Sequence, residues 1–287
     1  MTAQRWILTL VCEDRVGIVA AVSGMLAERD GFIVDSQQYA DLDTGHFFMR
    51  VVFQAGGPRF PADTRALREA FAEIAERFGL GWALVEAAAR PRAIVAVSKG
   101  AHCLNDLLFR RQAGSLSVEI AAIVSNHETL RGLAEWHGVP FHHLPVSAAD
   151  RPAQEAAIER LIDDEGAELL VLARYMQVLS PAFAARLDGR CVNIHHSFLP
   201  GFKGARPYHR AHERGVKLIG ATAHFVTGDL DEGPIIEQAV ERVDHRASVE
   251  DLIAIGRDIE AQVLARAVNA IGERRVFLNG GKTVVFR

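Results

Sequence analysis

Arg190-Cys191-Val192-Asn193-Ile194-His195-His196-Ser197-Phe198-Leu199-Pro200-Gly201 reads as a short β-strand running into a turn, because Val and Ile alternate with polar residues until Pro and Gly end the pattern. Side chains alternate between the faces of a strand, which puts Asn193 and His195 on one side and His196 on the other. Upstream, Ala93 to Ser98, Val118 to Val124, Phe141 to Leu144 and Leu169 to Leu172 are apolar runs of strand length. Helical patterns separate them at about His102 to Arg111, Glu128 to His137, Ala153 to Asp164 and Pro181 to Leu187. Strands alternating with crossover helices predict a Rossmann-like, mostly parallel sheet covered on both faces. Ligands of such sheets bind at the carboxyl ends of the strands, where Asn193 and His195 fall. Downstream, Leu218 to Val226 and Ile235 to Val243 read as an added β unit, followed by a long helix from Val249 to about Ile271. A terminal strand pair around Val276 to Leu278 and Thr283 to Phe286 turns through Asn279-Gly280-Gly281.

The N-terminal part has a different rhythm. Gln4 to Val11 reads as a strand, Gly17 to Arg29 as a helix with Asp14 as its N-cap, and Phe32 to Asp41 with His46 to Phe53 as a hairpin turned by Leu42-Asp43-Thr44-Gly45. Pro61-Ala62-Asp63 opens a second helix, Thr64 to Phe78, and Leu80 to Val85 is a last strand. The order βαββαβ is the ferredoxin-like arrangement. Ala87-Ala88-Ala89-Arg90-Pro91-Arg92 has neither apolar period, which predicts domains at 1–86 and 93–287 joined by a linker at 87–92.

The site chemistry suits acyl transfer. An Asn amide donates to a developing oxyanion but exchanges no protons, whereas His donates to the same oxygen or passes a proton to a leaving nitrogen. A carboxylate orients or deprotonates the attacking water or amine. Three acids of the loop Thr227 to Pro234, namely Asp229, Asp231 and Glu232, can fill that place, and spacing alone does not choose among them.

The run Asn193 to Pro200, then Gly204-Ala205-Arg206-Pro207-Tyr208-His209, Gly220-Ala221-Thr222-Ala223-His224-Phe225-Val226 and Leu230-Asp231-Glu232-Gly233-Pro234-Ile235-Ile236, resembles the folate-dependent formyltransferase superfamily. The resemblance is strongest to its hydrolytic branch, the formyltetrahydrofolate deformylases. It implies a formyltransferase-type catalytic domain that hydrolyses 10-formyltetrahydrofolate to formate and tetrahydrofolate, supplying formate for purine biosynthesis and balancing one-carbon pools. By motif position the family's catalytic Asn, His and Asp fall on Asn193, His195 and Asp231, which selects Asp231 from the three acids. Water then attacks the formyl carbon with Asp231 assisting proton removal, Asn193 and His195 hold the oxyanion, and His195 or water returns a proton to N10. The resemblance further implies folate contacts from Met176, Val178 and Leu179, and substrate-side places for His196 and Gly233. His196 stands where the transferases commonly carry Pro, and we read it as helping to hold water. Lys203 and Arg206 are weighed for the glutamate tail of folate and read as solvated.

Asp14-Arg15-Val16-Gly17-Ile18-Val19, at the first strand-to-helix junction, makes the N-terminal segment similar to an ACT domain. That resemblance implies sheet-mediated pairing into a homo-oligomer, a dimer or tetramer, and an amino-acid effector, glycine or methionine, near Asp14, Arg15 and Gly17. A plain dimerisation domain that binds nothing is the alternative.

Relatives that formylate a ribonucleotide amine cradle its phosphate on a glycine-rich turn after the first catalytic-domain strand. Here that turn is Ser98-Lys99-Gly100-Ala101-His102, with one glycine, which favours water as the formyl acceptor. His102 is read as a surface residue at a helix N-terminus. Transfer to an amine acceptor, or a sensor that binds folate without turnover, stand as the alternatives.

Composition bounds the rest. Of 287 residues 49% are hydrophobic and 24% charged, with a net charge of −4, which fits an ordinary folded chain and gives no support to nucleic-acid or membrane-surface partners. Cys12, Cys103 and Cys191 lack metal-site or disulfide spacing, and no signal segment is visible, so a cytoplasmic location is expected. The histidines 195, 196, 209, 212 and 224 do not form a zinc signature, and neither a metal nor a cofactor is expected beside the folate substrate.

Overall fold

A computed structural model of the chain describes residues 4–147, 150–199 and 207–287. It divides into two compact units, one taking the chain up to Arg90 with Glu273–Asn279 and Val284–Arg287, the other Pro91–Gly272 with Gly280–Thr283.

The first unit runs β1 (Arg5–Glu13), α1 (Ile18–Glu28), β2 (Gly31–Asp41), β3 (His46–Ala55), α2 (Thr64–Phe78) and β4 (Gly81–Glu86). The sheet order is β2-β3-β1-β4, and all three pairings are antiparallel. Ile18, Val22, Met25 and Leu26 of α1 and Leu67, Phe71, Ala75 and Phe78 of α2 recur at helical spacing and are buried. They share a core with Leu8, Leu10, Met49 and Val51 of the strands. Asp63 caps α2 by accepting the Ala66 N–H at 2.8 Å. The expected cap of α1 is corrected: Gly17, at φ +100°, occupies the N-cap position and no side chain caps the helix. Asp14 is still held at the strand end, its backbone N–H donating to the Gly45 carbonyl at 2.8 Å.

The second unit contains β5 (Arg92–Val97), α3 (His102–Gln112), β6 (Glu119–Ser125), a 3₁₀ turn into α4 (Arg131–Trp136), β7 (Phe141–His143), α5 (Arg151–Asp164), β8 (Leu169–Leu172), α6 (Pro181–Arg186) and β9 (Cys191–His195). After these come α7 (Pro207–Glu213), β10 (Leu218–Phe225), β11 (Ile235–Arg242) and α8 (Val249–Gly272). The sheet order is β11-β10-β9-β8-β5-β6-β7. Strands β5 to β9 pair in parallel, and β10 and β11 add antiparallel. Ala93 to Val97 and Leu169 to Leu172 are buried throughout, as strands covered on both faces must be. The chain leaves β5 toward β6 and β7 and returns on the other side at β8. That reversal opens a crevice at the strand carboxyl ends.

The C-terminal end of the expected second domain is corrected. β12 (Val276–Asn279) and β13 (Lys282–Val285) form a two-stranded sheet, most of which groups with the first unit. Phe277 packs edge-on against Phe48 at 5.8 Å, Arg50 Nε donates to the Glu273 carbonyl at 3.1 Å, and the Asn279 amide donates to Asp41. An isolated hairpin cannot bury its own apolar face, and its alternation does not say which core it joins.

All three cysteines are free and buried, Cys12 in the first unit and Cys103 and Cys191 in the second. Burial pushes each thiol above its ordinary pKa, Cys191 and Cys103 furthest. Among the described residues no helix is long and apolar enough to cross a membrane.

Candidate active site

A cavity of about 390 Å³ opens at the carboxyl ends of β8 and β9 and is closed on one side by the loop between β10 and β11. Asn193 and His195, two residues apart on β9, both line it, as does Asp231 from the loop. His195 Nδ1 lies 3.2 Å from Asp231 Oδ1, and both side chains are largely buried, at 6% and 13% exposure. The antiparallel register of β10 sets His224 opposite Asn193. His224 Nε2 is 3.2 Å from Asn193 Nδ2 and 3.7 Å from Asp231 Oδ1, while its Nδ1 donates to the Phe225 carbonyl at 2.8 Å.

Burial alone would raise the Asp231 carboxyl pKa, but the hydrogen bond from His195 and the two neighbouring imidazoles outweigh it and hold the group well below the ordinary carboxylate range. Asp231 is therefore an anion that orients His195 by accepting from Nδ1 and stabilises the imidazolium when it forms. The opposite ring nitrogen, His195 Nε2, is buried and meets no hydrogen-bond partner among the described residues. An amide carries two N–H groups, so pairing with His224 leaves Asn193 one for a developing oxyanion. Asp231 and Arg174 adopt positive φ, 58° and 63°, uncommon for non-glycine residues. Backbone strain of this kind gathers where surrounding contacts fix a side chain for function.

Met176, Val178, Leu179 and His196 also line the cavity, with Met176 60% and Val178 50% exposed. The loop that carries the first three is tied down from α5: the Tyr175 hydroxyl donates to Gln154 at 3.0 Å, and Glu155 accepts the Ser180 N–H at 2.6 Å. Thr222 pins the turn after β9, accepting the Leu199 N–H at 3.0 Å and donating to the Ser197 carbonyl at 2.9 Å.

Gly233 lies outside the cavity lining. It is buried against β10, where an added Cβ would fall 1.7 Å from the Phe225 carbonyl oxygen, so it serves a close backbone approach rather than a substrate contact. Asp229 joins the lining, whereas Glu232 does not and is exposed. Lys203 and Arg206 lie outside the described residues. Asp14, Arg15 and Gly17 belong to the first unit, with Arg15 paired to Glu13 at 2.9 Å on the surface.

Two expectations are corrected. His195 and His196 do not point to opposite faces: their rings stack at 4.8 Å and 22°, because β9 ends at His195 and alternation stops there. His102 is not a solvated surface residue; its Nε2 sits 2.8 Å from Glu260 Oε2. Arg174 and Glu260 escaped the sequence reading, and His224 entered it only within a motif and in the metal question. His224 carried a signal, since it lies two residues from Thr222 on one face of a strand next to the motif. Among the described residues, His102, Cys103 and Glu260 are the one group close enough to hold a metal ion, within 4.8 Å of one another. The Arg174 guanidinium, 3.3 Å from Glu260 Oε2, already brings positive charge to that place.

The chain matches the family model for formyl transferase over residues 91–268. It is 51% identical to a formyltetrahydrofolate deformylase of Corynebacterium sp. (strain P-1), over 99% of this chain and 98% of that protein. A formyltetrahydrofolate deformylase of Bacillus subtilis is 48% identical, over 97% of this chain and 93% of the relative. The crystal structure of a formyltetrahydrofolate deformylase from Burkholderia mallei superposes with a TM-score of 0.94 at 55% identity, covering 99% of this chain and 100% of that one.

Proposed function

The chain belongs to the formyl transferase family and, within it, to the formyltetrahydrofolate deformylases, and from that premise we propose that Asn193, His195 and Asp231 carry the reaction. The protein is a hydrolase that converts 10-formyltetrahydrofolate and water to tetrahydrofolate and formate.

In the proposed mechanism a water oxygen adds to the formyl carbon while His195 Nε2 takes its proton. Asp231 stays ionised and stabilises the resulting imidazolium through Nδ1; with its acidity so strengthened it is a poor proton acceptor itself, and its help in proton removal passes through His195. The Asn193 amide donates to the tetrahedral oxyanion. The imidazolium then returns its proton to N10, the C–N10 bond breaks, and formic acid leaves as formate, its remaining proton passing to solvent. His195 ends as it began, so the cycle is balanced without a cofactor.

The observation that carries this reading is the His195–Asp231 pair with a buried, unpartnered Nε2 at the cavity. The preference for water over an amine as acceptor rests on the turn Ser98 to His102, which has a single glycine where a phosphate cradle needs several. Beside the active cavity lies another of about 710 Å³, bordered by the turn Ser98 to His102, and the side chains of His102, Tyr208 and Glu260 project into its wall and hydrogen-bond one another. Incubation with 10-formyltetrahydrofolate alone, without amine and with a chelator, is expected to release formate and tetrahydrofolate in equal amounts. Release only after an amine is added would make the protein a transferase, and binding without release would make it a sensor.

For the first unit the proposal is an ACT-type domain that assembles the chain into a homo-oligomer and binds glycine or methionine near Asp14, Arg15 and Gly17. Its support is the βαββαβ order and the left-handed Gly17 where α1 begins. Calorimetric titration with each amino acid and sedimentation of the full chain test the two parts. A reducing cytoplasm is the compartment that fits three buried free thiols.

A further inference from the structure

Beyond the three residues assigned above, two acids of the second unit are buried among the described residues, Glu155 and, more deeply, one on α8. Glu260, on α8, is 1% exposed. Its Oε2 is 2.8 Å from His102 Nε2 and 3.3 Å from Arg174 Nε, and its Oε1 accepts the Tyr208 hydroxyl at 2.7 Å. These partners come from α3, from the loop after β8 and from α7. A buried ion is a poor source of stability, since the cost of desolvating each charge can exceed what pairing returns. The surroundings are nevertheless shaped for it. At Gly256, one turn earlier on α8, a Cβ would stand 2.0 Å from the Tyr208 hydroxyl oxygen, so the helix is notched where that hydroxyl reaches Glu260.

Arg174 connects this acid to the active cavity. While Nε faces Glu260, Nη1 lies 2.7 Å from His196 Nδ1. A guanidinium only donates, so Nδ1 must accept, and the neutral His196 ring carries its proton on Nε2. The His196 ring is stacked on His195 at 4.8 Å. Two imidazolium rings at that distance repel, and the protein therefore gains from deciding which of the pair titrates.

We propose that Glu260, acting through Arg174, is a positioning residue that locks His196 in its neutral Nε2–H tautomer, so that of the two stacked imidazoles only His195 carries the proton during turnover. The inference rests on the deformylase reading for what the pair is used for, but the lock itself is a property of the folded chain.

The charged and titratable groups around the device are few. Glu260 faces His102 and Cys103 of α3, Tyr208 of α7 and Arg174, while Arg257 of its own helix lines the neighbouring cavity with Lys99 and His127. His196 faces Arg174, His195 and, at 6.4 Å between rings, Tyr208; His195 faces Asp231. Burial alone would raise the Glu260 pKa, but the His102 hydrogen bond, the Arg174 charge and the Tyr208 hydroxyl bring it below its ordinary value, so it is ionised across the working range. Burial and the Glu260 charge push Tyr208 far up, which leaves it a neutral donor.

Glu260→Gln keeps the shape and the Tyr208 contact but removes the charge that holds Arg174. In the full-length protein with ¹⁵N-labelled histidine, His196 should show an unprotonated Nδ1 and a protonated Nε2, and the variant should lose this single tautomer. Turnover should fall about 10- to 100-fold with KM within about threefold, since misplacing a reacting group chiefly affects the chemical step. The acid limb of the kcat profile should move to lower pH, because loss of an anion and a newly protonable His196 both make the His195 proton less welcome. Unchanged ring-nitrogen signals, or an unchanged pH profile, would overturn the proposal. Should Glu260→Gln not fold, Arg174→Lys keeps a cation beside the buried acid but has one nitrogen in place of the fork, and it should free the His196 tautomer in the same way; a retained tautomer there would equally overturn it. Ring-nitrogen signals need no substrate, so a wild type that released no formate would defeat the deformylase reading while the lock was still decided.

Discussion

Asp231 is held at a left-handed backbone position with one carboxylate oxygen facing two imidazoles, 3.2 Å from His195 and 3.7 Å from His224. Asp231→Asn keeps that shape and removes the charge, so hydrolysis should be nearly abolished; retained activity would move the role to Asp229, the other acid of the lining. The same substitution has a signature in stability. A carboxyl whose folded pKa is depressed stabilises the fold above the unfolded pKa, about 4, and that contribution is lost as pH falls toward the folded value. The difference in Tm between wild type and Asp231→Asn should be largest near neutrality and shrink below about pH 4. Asn193→Ala removes a donor to the oxyanion and should lower kcat by about 100-fold or more, with little change in Tm. Gly233→Ala is the opposite kind of change, because its Cβ would meet the Phe225 carbonyl at 1.7 Å. It should cost about 2 kcal/mol or more in denaturant unfolding and displace Asp231, two residues away, lowering turnover as well.

Among the elements, α2 shows how far a sequence can be read. Asp63 predicted its start, and the carboxylate accepts the Ala66 N–H as a cap should. Asp63→Ala is expected to cost about 1 kcal/mol and to leave kcat unchanged, checked by denaturant unfolding beside the formate assay. Strands β5 and β8 were equally legible, since four or more consecutive buried apolar residues admit little else between helical segments. By contrast α7 was invisible: its seven residues, Pro207–Glu213, have no apolar stripe. The Asn, His and Asp proposed for catalysis were chosen through motif position, because spacing alone left three acids open. Contacts that depend on tertiary approach were out of reach. His102 meets Glu260 across 158 residues, and nothing in either neighbourhood announces the other. The stacking of His195 on His196 was misread for a related reason, as face alternation holds only while the strand lasts.

At the scale of the molecule, the chain leaves the first unit at Arg90, runs through the second to Gly272, returns to the first with Glu273–Asn279, gives Gly280–Thr283 to the second and ends in the first with Val284–Arg287. The first unit is thus closed by residues made last, and the chain passes from one unit to the other four times. Each unit also carries its own buried thiols, Cys12 at 6% exposure in the one, Cys103 and Cys191 at 0% in the other. Such sulfurs make the protein its own stopwatch for opening. A maleimide or disulfide reagent should leave the native chain unmodified, and mass spectrometry of the peptide around each cysteine after brief exposure to rising urea should date when each unit admits solvent. Labelling of Cys12 before the other two would mean that the first unit gives way while the catalytic one still stands, and simultaneous labelling would mean that they open as one.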